Sequence, residues 1–295
     1  MRTCVIFNPA ACGEKARRFR HQLDAIGSQC ALKATTAPDD ARRLAAEAVA
    51  DGFELIVAAG GDGTVNELLN GLGDAPDGFA RARLGVLPLG TVNVFARELK
   101  IPLRIERAWE ILRRGREMRI DLPRAEFLAN GVRRKKYFVQ LAGAGLDARA
   151  IELADWSLKK MTGPLAYVVA GLKALSEPKT KIIARAGGKY LTGELVLAGN
   201  GRLYGGPFGI FPQADLRSGL LDICVFPRVN WLTLFRCAPA LLLRRKLPES
   251  PVRRFRAGTF ELAGGTTTGF ELDGEWTGHL PATFSVEPGR LRVVY

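Results

Sequence analysis

Apolar and polar positions follow two periods between the N-terminus and about Asp121. Short apolar runs, which are typical of buried strands, are separated by segments in which apolar residues recur at helical spacing. Regular alternation of strands and helices predicts an α/β domain with a mostly parallel sheet. The predicted strands are Arg2–Phe7, Ala31–Thr35, Leu55–Ala59 and Leu84–Pro88, and the predicted helices are Glu14–Ile26, Asp39–Ala50, Val65–Leu72, Asn93–Leu99 and Ile105–Arg114.

The pattern changes after Asp121, where short β-rich runs separated by glycines replace the alternation. Two strands, Glu126–Gly131 and Tyr137–Leu141, are predicted around an Asn-Gly turn, and one helix is predicted at Leu165–Ser176. Many short strands follow and favour a β-sandwich, so the domain boundary is placed near Leu122–Pro123. These strands are Lys181–Ala184, Leu195–Ala198, Leu221–Phe226, Val252–Arg256, Thr259–Leu262, Thr268–Leu272, Thr283–Val286 and Leu291–Val294.

Composition and charge narrow the functional classes only partly. The 295 residues are 47% hydrophobic and 25% charged, which excludes wholesale disorder. A formal net charge of +13 favours an anionic partner, which can be nucleic acid, a membrane surface or a phosphorylated ligand. The alternative is an arginine-rich proteome, in which the charge has no bearing on function. No recognition motif or aromatic-basic pattern for nucleic acid accompanies the charge, so we expect no nucleic-acid partner.

Cysteine and histidine usage argues against a disulfide framework or a multi-histidine metal site. Five cysteines form no CxxC pair, which favours a reducing compartment, and only His21 and His279 are present. The N-terminal apolar run is too short for a signal peptide, and Val229–Leu243 is shorter than the ~20 residues that span a bilayer. We therefore expect a soluble or peripheral protein in the cytoplasm.

The strongest chemical signal is Gly60-Gly61-Asp62-Gly63-Thr64, which lies between a predicted strand and a predicted helix. Glycines let the backbone approach phosphates closely, and the helix N-terminus supplies N–H groups and a positive dipole end. A carboxylate beside phosphates is repulsive unless a cation lies between them, so Asp62 indicates a Mg²⁺-linked role. The alternative interpretation is a tight turn with Thr64 as the helix N-cap.

Two further turns between strands and helices share this small-residue character, namely Asn8–Gly13 and Pro88–Asn93, and Thr36 follows another strand. In a parallel sheet such turns lie at the carboxyl ends of the strands, where ligands bind. The Walker pattern and GxSxG are absent, which excludes a P-loop enzyme and argues against a serine hydrolase. Gly143–Ala148 matches GxGxxA but lacks a βαβ context, so a dinucleotide fingerprint is not expected there.

A run of carboxylates near the C-terminus, Glu271-Leu272-Asp273-Gly274-Glu275, is the second candidate for chemistry. Carboxylates around a glycine at a strand end can supply a general base for a hydroxyl nucleophile. The alternative is a solvated hairpin turn.

These segments together resemble the diacylglycerol kinase catalytic family, which is similar to sphingosine and ceramide kinases. The resemblance rests on GGDGTVNELLNGL, on NPAACGEKA before it and on PLGTVNVFARELKIP after it. Thr35-Thr36, Tyr204–Phe208, Ser218–Asp222 and Leu272–Glu275 follow in the family's order. The resemblance implies an α/β domain of residues 1–123, similar to NAD kinase and phosphofructokinase, and a β-sandwich of residues 124–287 that holds the lipid. It also implies that the last strand, residues 288–295, returns to the first domain.

The implied reaction transfers the γ-phosphoryl group of ATP to the hydroxyl of diacylglycerol or a related lipid at the membrane surface, as in phospholipid biosynthesis. Asp62 and Asp121 are implied to hold Mg²⁺ directly or through water, and either Asp273 or Glu275 to take the hydroxyl proton. The residues implied to contact the nucleotide are Asn8, Pro9, Ala10, Ala11, Cys12, Thr36, Gly60, Gly61, Asp62, Gly63, Thr64, Val65, Asn66 and Thr91.

The sequence departs from the family's pattern at three places. Many relatives have glycine where Cys12 stands, and many have an aspartate where Val94 stands, which removes one carboxylate from the implied Mg²⁺ network. Ser218 occupies an acidic position of a structural metal site, for which Asp215 and Leu220 are the other candidate ligands.

Apolar and basic segments of the second half are candidates for contact with an anionic membrane. Trp231–Arg236 leads through Leu241–Leu243 into Arg244–Lys246, and Arg133–Lys136 and Arg253–Arg256 add positive clusters. The alternative is a helix that covers the domain and solvated turns. Two other functions stay open, namely a kinase of a soluble acceptor similar to NAD kinase, and a non-catalytic nucleotide- or lipid-binding relative. The oligomeric state, a homodimer included, also stays open.

Overall fold

The computed structural model describes residues 2–9, 26–153, 173–244 and 246–295. It divides into two units, of which unit 1 comprises Met1–Leu122 and Pro288–Tyr295 and unit 2 comprises Pro123–Glu287. The predicted nucleotide contacts Ala10, Ala11 and Cys12, the predicted helix Glu14–Ile26 up to residue 25, and residues 165–172 of the helix predicted at Leu165–Ser176 lie outside the described residues.

Unit 1 is built on a parallel sheet. Its strands β1 (Thr3–Phe7), β2 (Ala31–Ala34), β3 (Leu55–Gly60) and β4 (Arg83–Pro88) lie in the order β2-β1-β3-β4. All six residues of β3 are buried, as expected for an internal parallel strand whose two faces are covered by other elements. The last residues of the chain extend this sheet, since Val293 pairs in parallel with Leu84 of β4.

The described helices of unit 1 lie between these strands or follow the last of them. They are α1 (Asp40–Ala50), α2 (Asp62–Asp74), α3 (Gly78–Arg81), α4 (Val94–Glu98) and α5 (Ile105–Arg114). In α1 the apolar residues at helical spacing are the ones that are buried, so this helix forms by covering the sheet with one face. The four described strand predictions and the α1, α2, α4 and α5 predictions are confirmed to within a few residues at each end.

Unit 2 contains two packed sheets. One holds β5 (Glu117–Ala129), β6 (Val132–Tyr137), β8 (Ile182–Ala186), β9 (Lys189–Gly193), β15 (Thr259–Ala263) and β18 (Ala282–Val294). The other is antiparallel, in the order β14 (Arg253–Ala257), β13 (Leu221–Phe226), β10 (Leu195–Gly199), β7 (Leu141–Gly145), β16 (Gly269–Leu272) and β17 (Glu275–His279). β11 (Leu203–Tyr204) pairs with β12 (Phe208–Gly209), and two helices are α6 (Leu146–Leu153) and α7 (Trp231–Arg244).

An aromatic core joins the two sheets of unit 2. The buried rings of Phe260 and Phe284 stack with centroids 4.8 Å apart, and Phe270 of the antiparallel sheet meets Phe284 edge to face at 5.8 Å. Residues from both sheets bury their side chains in this one cluster. This packing of two faces is a β-sandwich, so the predicted fold class, an α/β domain plus a sandwich, is confirmed.

The structure corrects several elements predicted in the second half. The Asn-Gly turn is present, with Asn130 at φ 51° and Gly131 at φ 75°, but its flanking strands are β5 and β6, and β5 begins at Glu117. The strands predicted at Thr283–Val286 and Leu291–Val294 are parts of the single strand β18. Helix α6 and strands β9 and β17 were not predicted.

Candidate active site

The turns at the carboxyl edge of the unit 1 sheet are joined by backbone hydrogen bonds. The N–H of Asn8 donates to the carbonyl of Ala59 at 3.2 Å, and the N–H of Thr35 donates to the carbonyl of Phe7 at 2.9 Å. The N–H of Leu89 donates to the carbonyl of Gly60 at 2.9 Å. The structure therefore brings together the ends of all four described strands, as their parallel order requires.

Two glycines allow the turn after β3 and the turn after β4 to touch backbone to backbone. A Cβ atom on Gly90 would lie 2.6 Å from the Cα atom of Gly61 and 2.8 Å from Oδ1 of Asn93. A Cβ atom on Gly60 would overlap Oγ1 of Thr64. The glycines at 60 and 90 are thus required by packing inside the turn, whereas a Cβ atom on Gly61 would meet Gly90 at an ordinary 3.5 Å.

Asp62 lies in the first turn of α2, and its carboxylate binds the start of a different helix. Oδ2 accepts the N–H of Val94 at 3.0 Å, and Oδ1 accepts the N–H of Phe95 at 3.2 Å. These are the first two residues of α4, so Asp62 serves as its N-terminal cap across the sheet edge. Asn93 precedes α4 in a left-handed conformation, and its amide is hydrogen bonded in both directions to the backbone of Gly90.

Other predicted nucleotide contacts divide into exposed and buried residues. Thr36, Thr91 and Pro9 are exposed at the edge, whereas Val65 is 2% exposed and Asn66 is 1% exposed, inside the packing of α2. Thr36 donates its hydroxyl and its N–H to Oδ2 of Asp40 at 2.7 and 2.8 Å. The hydroxyl of Thr36 is the main reason that the pKa of Asp40 lies well below its usual range.

The turn between β16 and β17 carries the second set of candidates, all in unit 2. Asp273 at φ 51° and Gly274 at φ 86° form a two-residue turn, which both residues can adopt because Asp and Gly tolerate positive φ. The carboxylate of Asp273 accepts three backbone N–H groups, from Val139 at 2.9 Å, Gln140 at 2.9 Å and Leu141 at 3.1 Å. Asp273 is 9% exposed, so it fastens the turn to the chain that leads into β7.

Glu275 has a different environment, although it is only two residues from Asp273. Its side chain is 35% exposed, and Oε2 lies 3.1 Å from Nζ of Lys136. A general base must accept a proton from a group that reaches it from solution, and Glu275 is open to such a group. The geometry therefore favours Glu275 over the amide-bound Asp273 as the base.

Two buried acids beside this turn were not among the predicted site residues. Glu271 of β16 is fully buried and accepts the N–H of Gly274 at 2.6 Å through Oε2, while Asp147 of α6 accepts the hydroxyl of Tyr204. Burial raises the pKa of both carboxyls, and the charge of Asp147 adds to the rise for Glu271. The chain shows Glu271 only as one of several carboxylates in a row, and no motif marks Asp147 as its neighbour.

Comparison with known proteins decides the family. Residues 2–125 match the diacylglycerol kinase catalytic domain, and residues 140–295 match the YegS C-terminal NAD kinase beta sandwich-like domain. A diacylglycerol kinase of Bacillus subtilis (strain 168) is 31% identical over 291 residues, which cover 96% of this chain and 92% of that relative. The chain belongs to the diacylglycerol kinase family. The resemblance seen in the sequence is thereby confirmed.

Solved structures with the same fold include a diacylglycerol kinase family relative. A putative diacylglycerol kinase from Bacillus anthracis str. Sterne superposes with a TM-score of 0.79 at 23% identity, covering all of this chain and 97% of that one. A yeast NADH kinase complexed with NADH superposes with a TM-score of 0.52 at 10% identity, covering 100% of this chain and 83% of that one. At these identities the likeness shows the fold alone.

The structure shows what the valine at position 94, where many relatives have an aspartate, does beside Asp62. Asp62 binds the backbone N–H of Val94, so this contact does not depend on which side chain residue 94 carries. Each oxygen of Asp62 accepts one of these two N–H groups, and the carboxylate lies at the start of α2 beside both glycine turns. A carboxylate is the kind of oxygen ligand that Mg²⁺ binds directly or through water. Asp62 therefore fits the metal role that the family resemblance implies.

The other candidate metal ligands of the diacylglycerol kinase family are engaged within the protein. Asp121 is 2% exposed and accepts the N–H of Gly289 at 2.8 Å through Oδ1. The hydroxyl of Ser218 donates to the carbonyl of Leu220 at 3.1 Å, and Asp215 accepts the N–H of Arg217 at 3.0 Å. Within the described ranges no group of three or more His, Cys, Asp and Glu side chains could hold a metal ion. A structural metal at Asp215, Ser218 and Leu220 and a role for Asp121 both stay predictions.

Proposed function

We propose that this protein is a lipid kinase that transfers the γ-phosphoryl group of ATP to the hydroxyl of diacylglycerol or a related lipid. The observation that carries the proposal is the contact of the two glycine turns at the start of α2, with Asp62 between them. Relatives named diacylglycerol kinase align over almost the whole chain and support the same reaction class.

The nucleotide phosphates would be held by backbone groups of unit 1. The first turn of α2 follows Gly61, and N–H groups in the first turn of a helix have no partner within the helix. These donors and the positive end of the helix dipole stabilise phosphate oxygens, and Gly61 has no side chain to block their approach. No lysine stands between Gly60 and Asn66, so backbone N–H groups and Mg²⁺ would carry most of the charge neutralisation there. When bound at Asp62, Mg²⁺ would neutralise charge on the transferring phosphoryl group.

The acceptor hydroxyl would be activated by Glu275 of unit 2. Glu275 takes the proton of the lipid hydroxyl, and the resulting oxygen forms a bond to the γ-phosphorus. The bond between that phosphorus and the β,γ-bridging oxygen breaks, and ADP leaves with the electron pair. Lys136, 3.1 Å from Glu275, would orient the carboxylate. Asp273 holds the turn that carries Glu275.

A lipid acceptor requires contact with a membrane, and we propose that helix α7 makes this contact. Trp231, Leu232, Phe235 and Leu243 are 51%, 63%, 72% and 84% exposed, and they lie on one side of the helix, which we call the α7 outer face. The opposite side packs on the core through Cys237, Leu234 and Leu241. Exposed aromatic and aliphatic side chains grouped in this way are typical of a helix that lies in a membrane interface.

Exposed positive charge on unit 2 favours an anionic membrane as the partner. Arg236 flanks the α7 outer face, and Arg133, Arg134 and Lys135 are exposed on β6. In β14, Arg253 and Arg256 are exposed, whereas Arg254 bonds inward to the carbonyl of Ile210 and the sulfur of Cys224, so it does not belong to the basic surface. No helix within the described residues is long and apolar enough to cross a bilayer.

The experiment that tests the acceptor class uses the full chain with ATP labelled at the γ-phosphorus. Diacylglycerol, sphingosine and ceramide are offered in phosphatidylglycerol vesicles, and NAD is offered in solution without vesicles. We expect label in the lipid fraction, with diacylglycerol as the best acceptor. Label in NAD without lipid product would establish a soluble-acceptor kinase instead, and ATP binding with no labelled product would establish a non-catalytic relative.

A further inference from the structure

Two buried carboxyl groups of unit 2 meet over a single glycine. Asp147 comes from the start of α6, Glu271 from the middle of β16, and Gly143 lies on β7 between them. A Cβ atom on Gly143 would overlap Oδ2 of Asp147 and lie 2.8 Å from Oε1 of Glu271. Both oxygens therefore face the same small space above the Gly143 backbone.

Within the described residues these two oxygens also lack a hydrogen-bond partner. Oδ2 of Asp147 and Oε1 of Glu271 are buried and have no donor there, whereas Tyr204 donates to the other oxygen of Asp147 and Gly274 to the other oxygen of Glu271. Two ionised carboxylates in this position would repel each other away from water. A single proton between the two oxygens removes one charge and supplies the missing hydrogen bond.

Among the described residues, the groups that act on Glu271 supply no positive charge, so a proton is the available source of it. Asp147 faces Glu271 from α6, Asp273 acts on it from the turn, and the N–H of Gly274 donates to it, while Tyr204 of β11 bonds Asp147. Burial raises the pKa of Glu271 well above its usual range, and the charges of Asp147 and Asp273 act in the same direction. Within the part of the chain that the structure describes, no cationic side chain acts on Glu271 or Asp147.

The acid pair is connected to the proposed base through one hydrogen bond. Oε2 of Glu271 accepts the N–H of Gly274 at 2.6 Å, and Gly274 is the residue immediately before Glu275. The turn is therefore held from two sides, by Asp273 on the Val139–Leu141 backbone and by Glu271 on its own N–H.

We propose that Asp147 and Glu271 share one proton and that Glu271, so protonated, is a positioning residue that fixes the turn presenting Glu275. The positioning role rests on the proposed function, because it requires Glu275 to be the base. The shared proton is independent of the proposed function. When the pair loses its proton, the second negative charge repels the first, and the turn that carries Glu275 loosens.

The sign of the pH dependence follows from the raised pKa. Between the usual carboxyl pKa and the raised pKa, the folded protein binds more protons than the unfolded chain, so stability falls as the pH rises through this interval. Catalytic turnover should fall at the upper end of the same interval as the turn loosens.

Comparing Glu271→Gln with Glu271→Leu distinguishes the hydrogen bonds of a protonated Glu271 from the packing of its side chain. The glutamine amide imitates the protonated acid, since its oxygen can accept the N–H of Gly274 and its nitrogen can donate to Asp147, while leucine does neither. Glu261→Gln, on the neighbouring sheet and partly exposed, is the matched control for the chemical change. The measurements on the full chain are thermal unfolding against pH, the infrared band of a protonated carboxyl, and kcat and KM against pH.

We expect the infrared band in the wild-type protein and in Glu261→Gln, and its loss in Glu271→Gln, with a flatter unfolding profile in that variant. We also expect Glu271→Gln to keep kcat within about threefold and Glu271→Leu to lose tenfold or more, with the KM for ATP unchanged. An absent band with an unchanged unfolding profile in Glu271→Gln would overturn the shared proton, whether or not the protein phosphorylates lipid. Equal losses of kcat in both variants would overturn the positioning role. Absence of lipid product in the wild-type protein would overturn the proposed function and the positioning role with it, but not the shared proton.

Discussion

Asp62 at the start of one helix binds the backbone N–H of Val94 at the start of another, 3.0 Å away and 32 residues later in the chain. The same carboxylate accepts the N–H of Phe95, so one side chain satisfies two donors at the beginning of α4. Asp62, a candidate metal ligand, is therefore also a structural link between the two glycine turns. Substitutions of Asp62 should lower the stability of the fold and the kinase activity to different extents.

Replacing Asp62 tests that dual role. Asp62→Ala removes both hydrogen bonds and should lower the free energy of unfolding by about 1–2 kcal/mol, in the range of a lost N-cap. Asp62→Asn keeps one acceptor oxygen and should lose less than half of that stability. Both variants should lose lipid phosphorylation, because neither retains the charge that fits Mg²⁺. Chemical denaturation and kinase assays measure the two effects, and an active Asp62→Asn would contradict the metal role.

Gly90 and Gly61 form a matched pair for testing the glycine turns. A Cβ atom on Gly90 would lie 2.6 Å from Gly61, whereas one on Gly61 meets Gly90 at 3.5 Å. Gly90→Ala should therefore destabilise the protein by about 1–3 kcal/mol, as overpacking does. Gly61→Ala should cost less than about 1 kcal/mol, the range of an Ncap change, yet weaken ATP binding by blocking the approach of phosphate. Denaturation and calorimetric titration with ATP check both, and unchanged ATP affinity in Gly61→Ala would count against a phosphate site there.

The α7 outer face should control membrane attachment without affecting folding. Phe235→Glu and Leu243→Glu change side chains that are 72% and 84% exposed, so thermal unfolding should stay the same. Co-sedimentation with phosphatidylglycerol vesicles should fall in both, and wild-type binding should weaken with salt.

The control for this experiment is Tyr190→Glu, which introduces the same charge at a residue that is 71% exposed on β9. It should sediment like the wild-type protein. Equal binding to phosphatidylcholine and phosphatidylglycerol vesicles, or equal losses in all three variants, would refute the α7 outer face as the docking surface.

Substitution of Asp273 should lower the stability of the fold more than it impairs proton transfer. Asp273→Asn keeps Oδ1 for the N–H groups of Gln140 and Leu141 but replaces the oxygen that accepts the N–H of Val139. Leaving that buried donor unpaired should cost about 1–3 kcal/mol. Urea denaturation measures the loss, and a variant of unchanged stability that has no kinase activity would transfer the role of base from Glu275 to Asp273.

Unit 1 was predictable because its strands and amphipathic helices differ in period and each depends on local sequence. The second half was less predictable. Pro288 and Gly289 are typical of the end of a strand, yet both lie inside the continuous strand β18. There Gly289 is at φ 59° and donates its N–H to Asp121. Phe270, Glu271 and Leu272 are all buried, so β16 shows no alternation that would set Glu271 apart.

The site was predictable as a set of residue types but not as a set of contacts. The glycine turns and the carboxylate run identify where chemistry is expected, because small residues and acids follow strands there. The partner of Asp62 is a backbone N–H, which no side-chain pattern can indicate. The Asp147–Glu271 pair depends on α6, a helix for which no prediction was made.

Glu275→Gln tests the central claim most directly. The change keeps the size of a side chain that is 35% exposed, and it removes the negative charge that accepts the proton and pairs with Lys136. With γ-labelled ATP and diacylglycerol vesicles, kcat should fall by about 100-fold or more, the range for a lost general base, while ATP affinity and thermal stability stay unchanged. A Glu275→Gln protein that phosphorylates diacylglycerol within threefold of the wild-type rate would contradict the assignment of Glu275 as the base.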